Sequence, residues 1–91
     1  MIIQIEQLFI NTDNIVTIHP FDRLVTDKEE KEYIETGISI NGIKYTLSIV
    51  EKEKTEDINK AKQKTINVIT TVINNMSVHA VQKLNLGEKD E

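Results

Sequence analysis

The chain has 91 residues, of which 29% are charged and 38% apolar, and its formal net charge is −4. This length and composition are typical of a single folded domain rather than of a disordered segment. The acidic balance argues against general binding to nucleic acid, because a phosphate backbone attracts a basic surface. The absence of cysteine excludes disulfides and thiolate chemistry.

Location and origin can be inferred from a few composition features. No uninterrupted apolar segment exceeds three residues, so we predict no membrane span and no membrane partner. The first residues lack the basic stretch and apolar stretch of a signal peptide, and a cytoplasmic location is expected. Ile, Lys and Asn, whose codons are AT-rich, supply 33 of the 91 residues. This bias favours a low-GC bacterium or its phage as the source.

The N-terminal part of the chain predicts two or three strands. Residues 2–10 form the first, with Ile3, Ile5 and Phe9 on one face and Ile2, Leu8 and Ile10 on the other. Apolar side chains on both faces suggest a central strand or one used in a contact. After turn residues at 11–14, a second strand should cover residues 15–19 and end at Pro20 or lie at a sheet edge, because proline has no N–H to donate. Residues 21–26 resume a strand, and residues 27–32 form an acidic loop.

The strongest local signal is Asn41-Gly42 between two alternating runs, which predicts a two-residue hairpin turn. An unbroken register pairs Ile40 with Ile43, Ile38 with Tyr45, Thr36 with Leu47, and Ile34 with Ile49. All eight side chains would then share one largely apolar face, and the other face would be mostly polar. Such a sheet needs one covering layer.

Residues 55–76 provide that layer as a helix, with Thr55 as its N-cap. The segment is rich in β-branched residues, but at 100° per residue its apolar side chains fall within an arc of about 160°. Lys62 is the one charged residue in this arc, and its stem can reach outward to solvent. Residues 77–86 do not continue the pattern. Either the helix stops near Met76 and an edge strand or a short second helix follows, or Val78 and Val81 contact a partner. Residues 87–91 are expected to form a flexible acidic tail.

The apolar arc consists of two seams with steps of three and four residues. The first seam is Ile58, Ala61, Thr65, Val68 and Val72, and the second is Ile66, Ile69, Ile73, Met76 and Ala80. Either both seams lie over the sheet as one broad core face, or the second seam binds another copy or a target. The complete prediction is an α+β domain over residues 1–86: a four-stranded, mostly antiparallel meander with one long helix across its apolar face.

The sequence resembles the small flagellar FlbD-like proteins in two stretches, "FINTDNIVTIHPFD" and "ISINGIKYTLSIVE", and in the acidic helix start that follows them. The resemblance covers about half of the chain. It implies a β-meander with an Asn-containing turn, an Asn-Gly hairpin and a helix, and it carries no catalytic residues. The "DKEEKE" segment and the long helix depart from the family pattern.

No residue pattern predicts catalysis or a metal site. His19 and His79 are distant in sequence and lack clustered carboxylates, and the serines have no recognisable base. We therefore predict no enzyme activity, no catalytic or metal-binding residue and no cofactor. The function expected instead is a small binding or regulatory module that acts through protein–protein contacts.

Two surfaces are candidates for these contacts. Partner binding, as a homodimer or higher homo-oligomer or with a host or cellular protein, is assigned to Ile2, Leu8, Ile10, Ile69, Ile73 and Met76. The alternative function is sequestration of a small nucleotide-type ligand at a subunit interface. An acidic partner or such a ligand is assigned to the polar helix face, at Lys60, Lys64, Asn67 and Thr71. Nucleic acid is not expected as a partner.

Overall fold

The computed structural model describes residues 1–84. It contains five strands and two α-helices, in the order β1 (Ile2–Ile5), β2 (Leu8–Asn11), β3 (Ile18–Thr26), β4 (Glu32–Ile40), β5 (Ile43–Glu51), α1 (Thr55–Asn74) and α2 (Val78–Gln82). A short 3₁₀ turn at Thr12–Asn14 links β2 to the segment before β3. The predictions for residues 85–86 and for the tail at residues 87–91 lie outside the described residues.

The α+β class is confirmed, but the predicted single four-stranded meander is wrong. The strands form two antiparallel sheets, a β1–β2 hairpin and a three-stranded sheet in the order β3-β4-β5. The predicted first strand is divided by a tight turn, in which Glu6 has a φ of 54°. Ile5 pairs with Leu8 across this turn. The reversal therefore brings Ile3, Ile5, Leu8 and Ile10 onto one face and leaves Ile2 and Phe9 on the other.

Strand β3 continues through Pro20, where the sequence predicted either a strand end or an edge position. The strand lies at the edge of the three-stranded sheet. The Thr17 carbonyl accepts a hydrogen bond from the Asn41 N–H at 3.0 Å, so odd-numbered residues of β3 direct their backbone groups toward β4. Pro20 consequently turns its nitrogen toward the open edge, and the ladder loses no hydrogen bond there.

The Asn41-Gly42 turn is confirmed, with φ angles of 52° and 85° as a type I′ turn requires. Asn41 also fixes the segment before β3. Its Oδ1 accepts from the Val16 and Thr17 N–H groups at 2.8 and 3.1 Å, and its Nδ2 donates to the Asn14 carbonyl at 3.0 Å. The Asn41 side chain thus holds the β4–β5 turn against the segment that leads from the β1–β2 hairpin into β3.

The register of the β4–β5 hairpin is confirmed only near the turn. Ile40 pairs with Ile43 and Ile38 with Tyr45, but a bulge then leaves Leu47 without a partner. The predicted pairs Thr36/Leu47 and Ile34/Ile49 are wrong, since the observed pairs are Thr36/Ser48 and Ile34/Val50. Beyond the bulge the faces of β5 are exchanged, and Ile49 lies opposite Glu35 with 61% of its surface exposed.

The helix predicted at residues 55–76 is observed as α1, which begins at Thr55 and ends at Asn74. The N-cap position is Lys54 rather than Thr55, and no side chain caps this end. Four residues of the first seam are buried: Ala61, Thr65, Val68 and Val72. In the open alternative for residues 77–86, the described part is a short helix, α2, whose N-cap Ser77 accepts from the Ala80 N–H at 3.1 Å.

The core is mainly aliphatic, and Ile18, Ile38 and Val72 are its most fully buried hydrophobic members. Helix α1 packs on the three-stranded sheet, and the inner residues of the hairpin pack against the same core. The hairpin is tied to the helix at Glu6, whose carboxylate lies 2.6 Å from the Lys64 ammonium. At the other end, the buried Thr12 hydroxyl lies 3.1 Å from the Asn75 carbonyl, just after α1.

Gly37 permits a close approach of the β4 and β5 backbones beside the bulge. A Cβ at this position would collide with the Tyr45 carbonyl and would lie 2.9 Å from Phe21 Cε1 and from Thr46 Cα. Two of these three atoms belong to the backbone of β5, which cannot move without separating the strands. Gly42, by contrast, has open space where its Cβ would be.

We therefore expect Gly37→Ala to lower the free energy of unfolding by about 3 kcal/mol or more, because the strands must separate. Gly42→Ala should cost only about 1–2 kcal/mol, the penalty of a left-handed backbone for a residue with a side chain. Urea unfolding followed by far-UV circular dichroism measures both. Equal losses for the two variants would contradict the close approach at Gly37.

Candidate functional site

The residues predicted to bind a partner do not form one surface. Ile10 and Met76 are buried in the core, and Leu8, Ile69 and Ile73 are half-buried and pack against it. Of the six, only Ile2 is highly exposed, at 68%. The turn at Glu6 explains the difference, because it directs Leu8 and Ile10 inward with Ile3 and Ile5.

The same turn creates an outward face on the hairpin, which consists of Ile2, Gln4, Phe9 and Asn11. Phe9 is 72% exposed although it is one of four aromatic residues in the chain. Gln4 pairs with Phe9 and Ile2 with Asn11, so the two apolar side chains are diagonal neighbours on one face. The sequence analysis missed Phe9 because it treated residues 2–10 as one continuous strand.

The polar helix residues predicted for a ligand or an acidic partner are differently placed. Lys60, Asn67 and Thr71 are exposed, whereas Lys64 is half-buried and paired with Glu6. Asn67 Oδ1 accepts from Gln63 Nε2 at 3.0 Å, and the Thr71 hydroxyl donates to the Asn67 carbonyl at 3.0 Å. Asn67 and Thr71 therefore have hydrogen-bond partners within α1 itself. Lys64 joins the β1–β2 hairpin to the helix.

A concave site lies instead between α1 and the edge strand β3. It is a cleft of about 370 Å³ with a mainly apolar lining. Its wall on the β3 side is formed by Pro20, Phe21 and Asp22, and the helix contributes Lys62, Thr65 and Ile66. Thr36 of the central strand β4 also lines the cleft. The site therefore joins three elements that are distant in sequence.

Two features give this cleft its polar character. The Thr36 side chain is 1% exposed, and within residues 1–84 its Oγ1 is buried without a hydrogen-bond partner. At the rim, Lys62 Nζ lies 3.5 Å from Asp22 Oδ2, and both side chains are about half exposed. Lys62 thus reaches outward as its place in the apolar arc predicted, and it does so toward a carboxylate. Nothing in the sequence indicated that Thr36 would be left without a partner.

The outer face of the three-stranded sheet holds a buried carboxylate. Glu35 is 8% exposed, and its Oε1 accepts from Arg23 Nε at 2.6 Å. The Thr46 hydroxyl donates to the other carboxylate oxygen. The hydrogen bond from Arg23 is the main cause of a lowered pKa for Glu35, and the Thr46 bond lowers that pKa further. Both partners are on neighbouring strands, so this group links β3, β4 and β5.

Within the described part of the chain, no group of three or more His, Cys, Asp or Glu side chains is arranged to hold a metal ion. Across the same residues, no helix combines the length and the apolar character needed to cross a membrane. Comparisons with protein families, with curated proteins and with solved structures gave no match. The resemblance to FlbD-like proteins therefore stays a prediction.

The ionised Glu35 should stabilise the fold in a pH-dependent manner. Because its pKa is lower in the folded chain than in the unfolded chain, its contribution is present above the unfolded value near 4.5 and is lost as the pH falls through the folded value. We expect Glu35→Gln to lower the free energy of unfolding by about 1–2 kcal/mol at about pH 7. The difference from wild type should shrink steadily below about pH 4.5.

Urea titrations at several pH values measure this difference. Glu29→Gln, which changes an exposed glutamate of the loop between β3 and β4, is the matched control and should match wild type within about 0.5 kcal/mol at neutral pH. A loss in Glu35→Gln that stays constant at acid pH would show that the carboxylate contributes through packing rather than through its charge.

Proposed function

We propose that this chain is a non-enzymatic binding or regulatory module that acts through contacts with other protein chains, and that a second copy of itself is one of its partners. The single observation that carries the proposal is the outward face of the hairpin. Ile2 and Phe9 are neighbours there and are 68% and 72% exposed. Exposed apolar neighbours in a small domain are typical of a protein contact surface.

The charge distribution supports self-association at this face. Its four residues, Ile2, Gln4, Phe9 and Asn11, carry no charge, so two copies with a net charge of −4 can meet there with little repulsion. The hairpin face adjoins the β4–β5 turn, since Phe9 and Asn11 line a depression together with Asn41 of that turn. The acidic loop between β3 and β4 lies at the other end of the long strands, about 30 Å from the turn.

The hairpin face is the centre of the proposed interface rather than its full extent. A stable dimer covers about 800 Å² on each partner, more than two side chains provide. Exposed apolar residues in the flanking segments, Met1 and Val16, are 63% and 59% exposed and can extend the contact. Aromatic residues are frequent among the side chains that contribute most to such interfaces, which assigns the central position to Phe9.

The proposal predicts a concentration-dependent dimer. At micromolar concentration, light scattering coupled to size exclusion should give about twice the chain mass of 10.4 kDa. The double variant Ile2→Ser/Phe9→Ser should give a single chain mass, because it removes the apolar centre of the interface without changing the buried core. Its circular dichroism spectrum should remain that of the wild type.

Ile49→Ser is the matched control. Ile49 is also exposed, at 61%, but it lies beside Glu35 on the outer face of the three-stranded sheet. This variant should keep the dimer mass. A wild-type mass of one chain throughout the micromolar range would overturn the proposal, and a loss of the dimer in Ile49→Ser alone would move the interface to the other sheet.

A further inference from the structure

We propose that the cleft between α1 and β3 binds a small, uncharged, mainly apolar molecule that carries one hydroxyl, carbonyl or amide group. The polar group of this ligand forms a hydrogen bond with Thr36. The site is separate from the hairpin face, so it adds a ligand to the protein contacts proposed above and does not depend on them. Two residues of the cleft, Thr65 and Ile66, also belong to the apolar seams of α1. Thr65 is buried, and Ile66 is exposed.

The size and lining of the cleft fit a small molecule. Its volume of about 370 Å³ lies at the lower end of the range for small-molecule sites. Pro20 and Ile66 contribute apolar side chains from opposite walls, and Ile66 is 50% exposed although it lies in the apolar arc of α1. A compact apolar ligand would cover Ile66, which the chain itself leaves half open.

Thr36 supplies the polar contact. A buried hydroxyl without a partner is unfavourable, and native proteins leave few such groups. Thr36 is one of the residues that line the cleft, and rotation about its χ1 angle exchanges the positions of hydroxyl and methyl group. The hydroxyl can then donate to, or accept from, a ligand atom. The neighbouring Thr65 hydroxyl already donates to the Ala61 carbonyl at 3.2 Å and can only accept.

The charges at the rim favour a neutral ligand. Lys62 and Asp22 are 3.5 Å apart and compensate each other. A phosphate or carboxylate would have to compete with Asp22 for the Lys62 ammonium, and an amine would have to compete with Lys62 for the carboxylate. A molecule with a single uncharged polar group avoids both costs, since it leaves the ion pair intact.

Phenol and toluene test the inference, because they share a ring and differ in one hydroxyl. Each is titrated into the ¹⁵N-labelled full-length chain, and binding is followed through the amide signals of Thr36, Thr65 and Ile66. We expect saturable shifts at these three residues and about tenfold tighter binding of phenol than of toluene, the effect of one hydrogen bond to a buried hydroxyl.

Three variants separate the hydroxyl from its surroundings. Thr36→Val has the same shape without the hydroxyl and should bind phenol and toluene equally. Thr36→Ser keeps the hydroxyl and should keep the preference for phenol. Thr70→Val is the matched control, because Thr70 lies on the exposed side of α1 and donates to the Ile66 carbonyl. It should also keep the preference.

Either of two results would overturn the inference. One is the absence of saturable shifts at the cleft residues with both probes, which would show that the cleft binds no molecule of this class. The other is a preference for phenol that persists in Thr36→Val, which would show that another group provides the hydrogen bond.

Discussion

One extra residue in β5, Leu47, separates the two halves of the β4–β5 ladder, and the arrangement of the sheet depends on this separation. Before the bulge, Tyr45 packs on the helix side. Leu47 itself packs against the core, and beyond it Ile49 turns outward beside Glu35. Gly37 lies opposite the bulge and allows the β5 backbone to approach closely. The outer face therefore contains a buried carboxylate linked to two strands, and the inner face keeps an aliphatic core.

The long helix and the Asn41-Gly42 turn could be predicted because each has a local signal that tertiary contacts do not override. The 3.6-residue period identified α1 against the β-branched composition of residues 65–73. The bulge could not be predicted, since the alternation of apolar residues at 43, 45, 47 and 49 favours the unbroken register, and the observed register depends on the close approach at Gly37. The turn at Glu6 contains no glycine, proline or asparagine, so no residue there indicated that the first strand would be divided.

The turn at Glu6 also explains part of the difference between the candidate surfaces and the predicted ones. Dividing the first strand placed Ile10 in the core and Leu8 against it, and exposed Phe9 instead. The second seam of α1 is partly covered within the chain, because the β1–β2 hairpin and the turn after it are held close to the helix. Glu6 pairs with Lys64 of α1, and Thr12 donates to the carbonyl of Asn75, which follows the last residue of α1. The cleft at Thr36 depends on three elements meeting in space. No spacing within a single element could have indicated it.

The register of the β4–β5 hairpin is the most direct test of this account, and cross-strand nuclear Overhauser effects between backbone protons measure it. The bulged ladder predicts contacts that join Thr36 to Ser48 and Ile34 to Val50, with Leu47 lacking a cross-strand partner. Contacts joining Thr36 to Leu47 and Ile34 to Ile49 would instead show an unbroken hairpin. That result would return Ile49 to the helix side and contradict the placement of Glu35, Gly37 and Thr36 described above.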